Sequence, residues 1–381
     1  MLKKSLINSV IVLLLIINFC FVNLSFATSL PSLEINMGQI ETLKSEALNQ
    51  DRTLYVRLPP NYAESNKAYP VLYLLDANSF FIGNVYQEAV SLVSRLEKVN
   101  DIPELIVVGI QSDQWYKDVV TAANPFETYV NQEVVSYIEK KYRTASNRIL
   151  MGHSYAGAFV SGTMPHESKR FDLFLALSPI YPSMSYINRI IDNYQGLKPS
   201  SSKLIIIDGD ENPMDKLLLK RAAAKLNKGV LDFNYLSKKL DGHMSVLTIG
   251  LSHGLREHFS DFRFPSRDMV RKNSFDLKKL KDYFEHKDRK YASKTDEAKL
   301  KALAISMAHR YTSMQQFDKA LPFWRYGSSK FKEYFMNGYA ERFIASGETE
   351  LAIQIWREMN ELFPNSESNY LAKISTIKKS E

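Results

Sequence analysis

The segment RILMGHSYAGAF, from Arg148 to Phe159, holds a serine in a position where it could act as a nucleophile. An apolar, strand-like run ends at Gly152, Ser154 follows two residues later, and a segment typical of a helix comes directly after it. In the G-x-S-x-G arrangement, serine sits on a sharp turn where only small neighbours let strand and helix pass closely. Ala156 stands at the second glycine position and adds only one methyl group. We predict that Ser154 is a nucleophile; the alternative is a serine in a polar loop.

A hydroxyl nucleophile needs a base that accepts its proton, and a histidine is the usual choice. His243 follows Ser154 in the chain and lies in a glycine-containing loop, after a strand-like segment and before a helical one. His253 and His258 fall inside that helical segment at polar positions, and His153 is expected to point away from the neighbouring serine. The pattern predicts His243 as the general base; the alternative is a histidine that caps the helix.

The base needs a third group to orient it, and in chains with this serine turn an acid comes between the serine and the histidine. The segment KLIIIDGDENP ends a strand-like run with Asp208, Asp210, Glu211 and Asn212. We predict Asp210 as the orienting acid, with Glu211 as the second choice. The alternative is ordinary turn chemistry, because aspartate, glycine and asparagine all favour turns.

An oxyanion needs two hydrogen-bond donors, one from the residue after the nucleophile and one from the loop that follows the third strand. These rules predict the backbone N–H of Tyr155 as the first donor. The loop after the third strand is LLDANSFF, so Ala77 is predicted as the second donor, with Asn78 adjacent.

The elements that must position these residues alternate along the chain from Asp51 to about Phe262. Apolar, strand-like runs recur with amphipathic stretches between them, for example Asn84 to Leu96 and Pro125 to Tyr142. The strand-like runs are RTLYVRLP, PVLYLLD, LIVVGI, RILMG, FDLFLALS and KLIIIDG. Alternation of this kind predicts an α/β fold, in which helices cover both faces of a mostly parallel sheet.

The strands stop after this region. Residues 265–299 are highly charged and are predicted to be a linker with some helix, and residues 300–381 are predicted to be helical. Ala320 precedes Trp324 just as Ala352 precedes Trp356, at an offset of 32 residues. This offset is close to the tetratricopeptide period of 34, so the region resembles such repeats. The alternative is a helical bundle that covers the sheet.

The first 27 residues have the features of a secretory signal. Lys3 and Lys4 precede an apolar run from Ile7 to about Val22, and Ser25 and Ala27 form a small-x-small site. Cleavage after Ala27 would release a mature chain whose catalytic domain spans residues 28–264, in the periplasm or outside the cell. The alternative is an uncleaved membrane anchor, because the apolar run is long for a signal peptide.

Composition excludes several classes of function. The only cysteine, Cys20, lies in the signal segment, so a mature chain has no disulfide, thiolate metal site or cysteine nucleophile. The net charge of +7 is spread along the chain without a basic stripe, and no nucleic-acid partner is expected. The seven histidines show no ligand spacing, so no metal site is expected.

Several segments together resemble one branch of the α/β hydrolases. Between about Ile40 and Phe262, five segments are similar to the esterase D and enterochelin-esterase branch. These segments are RTLYVRLPPNY, YPVLYLLDA, GHSYAG, LALSP and DGHMSV. The resemblance implies an α/β-hydrolase fold, esterase activity without a cofactor, and a Ser–acid–His triad that includes Ser154 and His243. The chain departs from the family pattern at Ala156 and at Asn212, where the family commonly has glycine and glutamate. A Ser–His dyad is therefore an alternative to the triad.

The expected function is hydrolysis of a small-molecule carboxylic ester through an acyl-enzyme. The resemblance implies activity of the siderophore-esterase kind. Two alternatives remain open: an acyltransferase of the same fold, and an inactive hydrolase domain that serves as a binding module. The C-terminal helices are expected to restrict substrate access or to bind a protein partner. Contact with a membrane is expected only if the N-terminal segment is not cleaved.

Overall fold

A computed structural model of the chain describes residues 36–78, 84–112, 117–118, 123–167, 169–195, 201–209, 232–237, 242–263, 275–291 and 293–380. The predicted signal segment 1–27 lies outside these ranges, as do the candidate acids Asp210 and Glu211. Among the described residues, no helix has both the length and the apolar character needed to cross a bilayer.

Eight strands form one sheet, in the order β1-β2-β4-β3-β5-β6-β7-β8. The pairs β1-β2 and β2-β4 are antiparallel, and every other neighbouring pair is parallel. The strands are β1 (Gln39–Ser45), β2 (Gln50–Arg57), β3 (Tyr69–Leu75), β4 (Ile106–Ile110), β5 (Thr144–His153), β6 (Leu173–Leu177), β7 (Lys203–Asp208) and β8 (Asp232–Ser237). This sheet confirms the predicted α/β class.

The central strands are apolar because helices cover both faces of the sheet. All residues of β3, β4 and β6 are buried, as expected for parallel strands that expose neither face to water. The edge strand β1 instead mixes buried and exposed residues in the polar sequence QIETLKS. Sequence reasoning did not place a strand there, because such a segment lacks the continuous apolar run that marks the others.

The helices described in the hydrolase region are α1 (Val85–Lys98), α2 (Ala123–Thr128), α3 (Val135–Lys141), α4 (Tyr155–Glu167), α5 (Met184–Gln195) and α6 (Val246–His258). Helix α7 (Leu277–Lys290) leads from there into the C-terminal part. The helix predicted from Pro125 to Tyr142 is divided by a π-helical turn, Tyr129–Val134. Such turns are rare and interrupt the regular helical repeat.

The C-terminal part continues with α8 (Glu297–Ser313), α9 (Phe317–Tyr326), α10 (Lys332–Ala345), α11 (Thr349–Leu362) and α12 (Tyr370–Ser380). The predicted helical character is confirmed, and Ala320, Trp324, Ala352 and Trp356 are all buried in one apolar cluster. The two tryptophans differ in their bonds, however. Trp324 donates to Thr312 twelve residues earlier, and Trp356 donates to Asn337 nineteen residues earlier. The resemblance to tetratricopeptide repeats therefore stays a prediction.

Helix α7 lies within the segment predicted to be a linker and joins the two parts of the molecule. Its Leu280 is buried in the C-terminal cluster. On its other side, Tyr283 donates to the carbonyl of Asp261 at 2.7 Å, and the ammonium of Lys287 lies 4.6 Å from the ring of Phe262. The segment thus contributes to both cores, and the predicted domain boundaries stay a prediction.

Candidate active site

Ser154 occupies the turn between β5 and α4 with a backbone φ of +60°. This left-handed conformation costs a non-glycine residue about 1–2 kcal/mol, so the surroundings must hold it in place. The Ser154 N–H donates to the carbonyl of Leu177 at 2.9 Å, and the Ser154 carbonyl accepts from Ala158 at 3.0 Å and Ile180 at 3.1 Å. The predicted nucleophile therefore sits on a strained strand-to-helix turn that is tied to β6.

The close passage of strand and helix explains the small residues around Ser154. A Cβ atom on Gly152 would lie 2.3 Å from the carbonyl oxygen of Ala156, and one on Gly157 would lie 2.9 Å from that of Leu177. The methyl group of Ala156 itself is accommodated and buried. The departure from G-x-S-x-G at position 156 thus leaves the turn intact.

His243 lies between β8 and α6, and the fold brings it beside the serine turn. The imidazole rings of His243 and His153 have centroids 4.6 Å apart. His153 is the residue directly before Ser154, so the fold packs the ring of the predicted base against the neighbour of the predicted nucleophile, although 89 residues separate His243 from Ser154 in the chain.

His153 makes a hydrogen bond to the loop of His243 that the sequence did not predict. Its Nε2 lies 2.6 Å from the backbone carbonyl oxygen of His243. A carbonyl oxygen only accepts, so Nε2 carries the hydrogen. The side chain is 2% exposed, and burial lowers the pKa of His153 to about 4 despite this hydrogen bond. At neutral pH, His153 is therefore an uncharged donor to the loop of the candidate base.

The segment that contains the candidate acids begins at the same edge of the sheet. Strand β7 ends at Asp208, whose Oδ2 accepts from the hydroxyl of Tyr235 at 3.2 Å. The next residue, Gly209, donates its N–H to the Oγ of Ser178 at 3.1 Å. Asp210 and Glu211 follow outside the described residues, so the acid stays a prediction.

The two predicted oxyanion donors lie next to the ends of β5 and β3. Tyr155 is the first residue of α4 and directly follows Ser154. Ala77 lies at the correct edge of the sheet, but its N–H donates to the carbonyl of Ile110 at 3.1 Å and the residue is fully buried. Because that N–H is already used, the hydrogen bonding favours the adjacent, exposed Asn78 over Ala77 as the second donor.

A buried polar cluster influences the charge of Asp76, the residue directly before Ala77. Arg52 forms a buried ion pair with Asp118, with both N–O distances below 3 Å, and the hydroxyl of Ser112 donates to Asp118 at 2.6 Å. Asp76 adopts a left-handed φ of +56° directly before Ala77. Burial and the charge of Asp118 raise the pKa of Asp76 to about 6.

The described residues contain no group of histidine, cysteine, aspartate or glutamate side chains that could hold a metal ion. What the site offers is a strained serine, a neighbouring histidine and backbone N–H groups. These groups are suited to transfer of an acyl group through a covalent serine intermediate.

Known proteins resemble this chain in sequence and in fold. The model of the Esterase family matches residues 45–299, well over half of the chain. Ferri-bacillibactin esterase BesA from Bacillus subtilis (strain 168) is 25% identical over 274 residues, which cover 61% of this chain and 91% of BesA.

Two solved structures extend the comparison of the fold. An IroE-like serine hydrolase from Shewanella oneidensis has a TM-score of 0.56 at 22% identity, covering 78% of this chain and 99% of that protein. An uncharacterised protein from Capnocytophaga ochracea DSM 7271 has a TM-score of 0.54 at 16% identity, covering 90% of this chain and 100% of that protein. A match over 90% of the chain extends beyond residue 264, so the second likeness includes part of the helical region.

The family model matches strands β2 to β8 and the serine turn, and the solved structures agree with the α/β-hydrolase fold. The chain therefore belongs to the Esterase family and is a carboxylic ester hydrolase.

Proposed function

We propose that this protein is a serine esterase that works through an acyl-enzyme on Ser154, with His243 as the general base. The observation that carries the proposal is the 4.6 Å packing of His243 against His153, the residue directly before Ser154. His243 takes the hydroxyl proton as the Ser154 oxygen attacks the ester carbonyl carbon. The carbonyl electrons move to oxygen, and the N–H groups of Tyr155 and Asn78 stabilise that oxyanion.

Collapse of this intermediate breaks the ester C–O bond, and the alcohol leaves with the proton from His243. Water then attacks the acyl-enzyme in the same way, with His243 again as base, and releases the acid. Asp210 orients His243, with Glu211 as the second choice. If neither carboxylate contributes, the site works as a Ser–His dyad.

For the substrate, we propose an ester of a siderophore. The support is the sequence similarity to BesA, whose name describes it as a ferri-bacillibactin esterase. The predicted N-terminal export signal bears on where this reaction takes place. We accordingly place the mature enzyme in the periplasm or outside the cell, after cleavage behind Ala27. Sequencing the N-terminus of the mature protein tests this location.

The catalytic proposal is tested by labelling with a fluorophosphonate probe and by an ester panel of increasing acyl size that includes ferri-bacillibactin. We expect labelling of the wild type at Ser154. We also expect His243→Ala to reduce turnover by a factor of about 10³ or more, because the members of such a site act as a unit. Labelling of a different serine, or near-normal turnover of His243→Ala, would disprove the assignment.

A further inference from the structure

We propose that His153 is a positioning residue for the reaction: its uncharged ring anchors the loop of His243 to the rigid centre of the sheet and keeps the base aimed at Ser154. This inference rests on the proposed roles of Ser154 and His243. It assigns to His153 a part in catalysis through His243, without direct contact with the substrate.

The anchor itself is rigid. His153 is the last residue of β5 and pairs in register with Leu177 of β6, in the interior of the parallel sheet. It is 2% exposed, so surrounding atoms fix the orientation of its ring. A group that is hydrogen-bonded to this ring is therefore held in a fixed position relative to Ser154, the next residue in the chain.

The loop that contains His243 is shaped locally and attached through His153. The N–H of Val246 and the hydroxyl of Ser245 both bond to the carbonyl of Gly242 at 3.1 Å, which forms the turn. The 2.6 Å bond from Nε2 of His153 to the carbonyl of His243 joins this turn to the sheet 90 residues away in sequence. The two rings also pack against each other at an interplanar angle of 44°, and this second contact restricts the rotation of the His243 side chain.

The charge state of His153 also suits this role. His243 becomes an imidazolium when it accepts the serine proton, and a second positive ring 4.6 Å away would oppose that step. Burial keeps His153 neutral at neutral pH. Its Nδ1 is buried and has no hydrogen-bond partner among the described residues, so the ring makes its described polar contact with the His243 loop through Nε2.

A histidine that merely fills space in the core would give the same burial, and two substitutions separate the possibilities. His153→Gln keeps an N–H donor, because the amide nitrogen of glutamine lies as many bonds from Cβ as Nε2 does. His153→Phe keeps an aromatic ring of similar volume and loses the donor. A positioning role depends on the donor, whereas a packing role depends on the ring.

The experiment compares kcat and KM of the full-length variants on a soluble activated ester, together with thermal unfolding. We expect His153→Phe to lower kcat by about 10- to 100-fold with KM changed less than about threefold, since a small misplacement of a catalytic group has effects of this size. We expect His153→Gln to stay within about fivefold of the wild-type kcat. If the phenylalanine variant matches the wild type, or if the glutamine variant loses as much kcat as the phenylalanine variant, the inference is wrong.

Should His153→Phe fail to fold, His153→Asn replaces it, because the asparagine amide ends one bond short of the His243 carbonyl. The asparagine variant is then expected to lose kcat relative to the glutamine variant, and equal values would overturn the proposal. Ser154→Ala separates this inference from the proposed function. An active Ser154→Ala variant would disprove both, whereas an inactive one beside a fully active His153→Phe disproves the role of His153 alone.

Discussion

Backbone strain differs between two regions of the molecule. One is the edge of the sheet at which the candidate site lies, and the other is the C-terminal helical region. Asp76, Ser154 and Ser178 have left-handed φ values of +56°, +60° and +37°, and they follow β3, β5 and β6, which are neighbours in the sheet. In the described helical region from residue 293 onward, the left-handed residues are Gln315 and Gly347, and both lie in turns at helix ends.

This difference indicates what each region is built for. Backbone strain in non-glycine residues persists only where the surrounding structure enforces it, and it concentrates at functional sites. At the sheet edge, the enforcing contacts are bonds between strands, such as that from Ser178 N–H to the carbonyl of Ile207 at 2.8 Å. The helical region instead consists of regular helices around a buried core that contains several aromatic side chains. Substitutions should therefore affect chemistry in the first region and stability in the second.

The largest expected effect is on turnover at Ser154. Ser154→Ala and Ser154→Gly should each reduce ester hydrolysis by a factor of about 10³ or more, because no nucleophile remains. Glycine tolerates φ +60°, so Ser154→Gly should be more stable than Ser154→Ala by about 1 kcal/mol. Denaturant unfolding of both variants measures the difference.

An exposed serine in the interior of α8, Ser306, supplies the matched control. There the order should reverse, with the glycine variant less stable than the alanine variant by about 1 kcal/mol, because glycine weakens an ordinary helix. If the glycine and alanine variants rank in the same order of stability at Ser154 and at Ser306, the proposed difference in backbone strain between the two regions is contradicted.

The next effect concerns the acid, which the described residues do not include. Asp210→Asn should lower kcat by a factor of about 10² or more, because the base loses the group that orients it, while Glu211→Gln should change kcat little. Kinetics on a small activated ester compare the two directly. A loss confined to Glu211→Gln would exchange their roles, and near-normal turnover of both variants would indicate a dyad.

In the helical region we expect an effect on stability with the chemistry unchanged. Trp324 is fully buried and donates to Thr312 at 2.9 Å. Trp324→Ala should lower the free energy of unfolding by about 3–5 kcal/mol, whereas Tyr334→Ala, at a position 76% exposed, should change it by less than about 0.5 kcal/mol. At a temperature where Trp324→Ala is folded, its kcat should equal that of the wild type. A collapse of kcat in the folded variant would show that the helices help to build the site.

The smallest effect is a dependence of stability on pH at His258, the last residue of α6. Burial, with help from the charges of Lys203 and Lys290, lowers the pKa of His258 to about 4, and its Nε2 bonds to Asn147 at 3.1 Å. The unfolded chain takes up a proton below about pH 6.5 and the folded chain does not, so stability falls as the pH drops from 6.5 towards 4.

His258→Gln keeps a donor for Asn147 and removes this titration. The fall in the free energy of unfolding between pH 6.5 and 5 should therefore be smaller in the variant by about 1–2 kcal/mol. Other groups, including Asp76 with its raised pKa, act equally in both proteins and cancel. Parallel pH profiles of the two proteins would show that His258 is not held neutral.

Short-range physical chemistry determined a large part of this protein from the sequence alone. The apolar runs of β3 and β5 predicted buried parallel strands, and the small residues around Ser154 predicted a sharp turn. The periodic apolar positions near Trp324 and Trp356 predicted helices. Each of these features depends on steric fit and burial among residues that are close together in the sequence. The local sequence is therefore enough to predict them.

The tertiary structure decided which distant groups meet and which donors are already used. His153 bonds to the carbonyl of His243 because the parallel strands β5 and β8 end at the same edge of the sheet. The N–H of Ala77 is used by Ile110 because β3 lies beside β4 in one particular register. Strand order and register arise from packing of the whole chain, and no local pattern around His153 or Ala77 contains them.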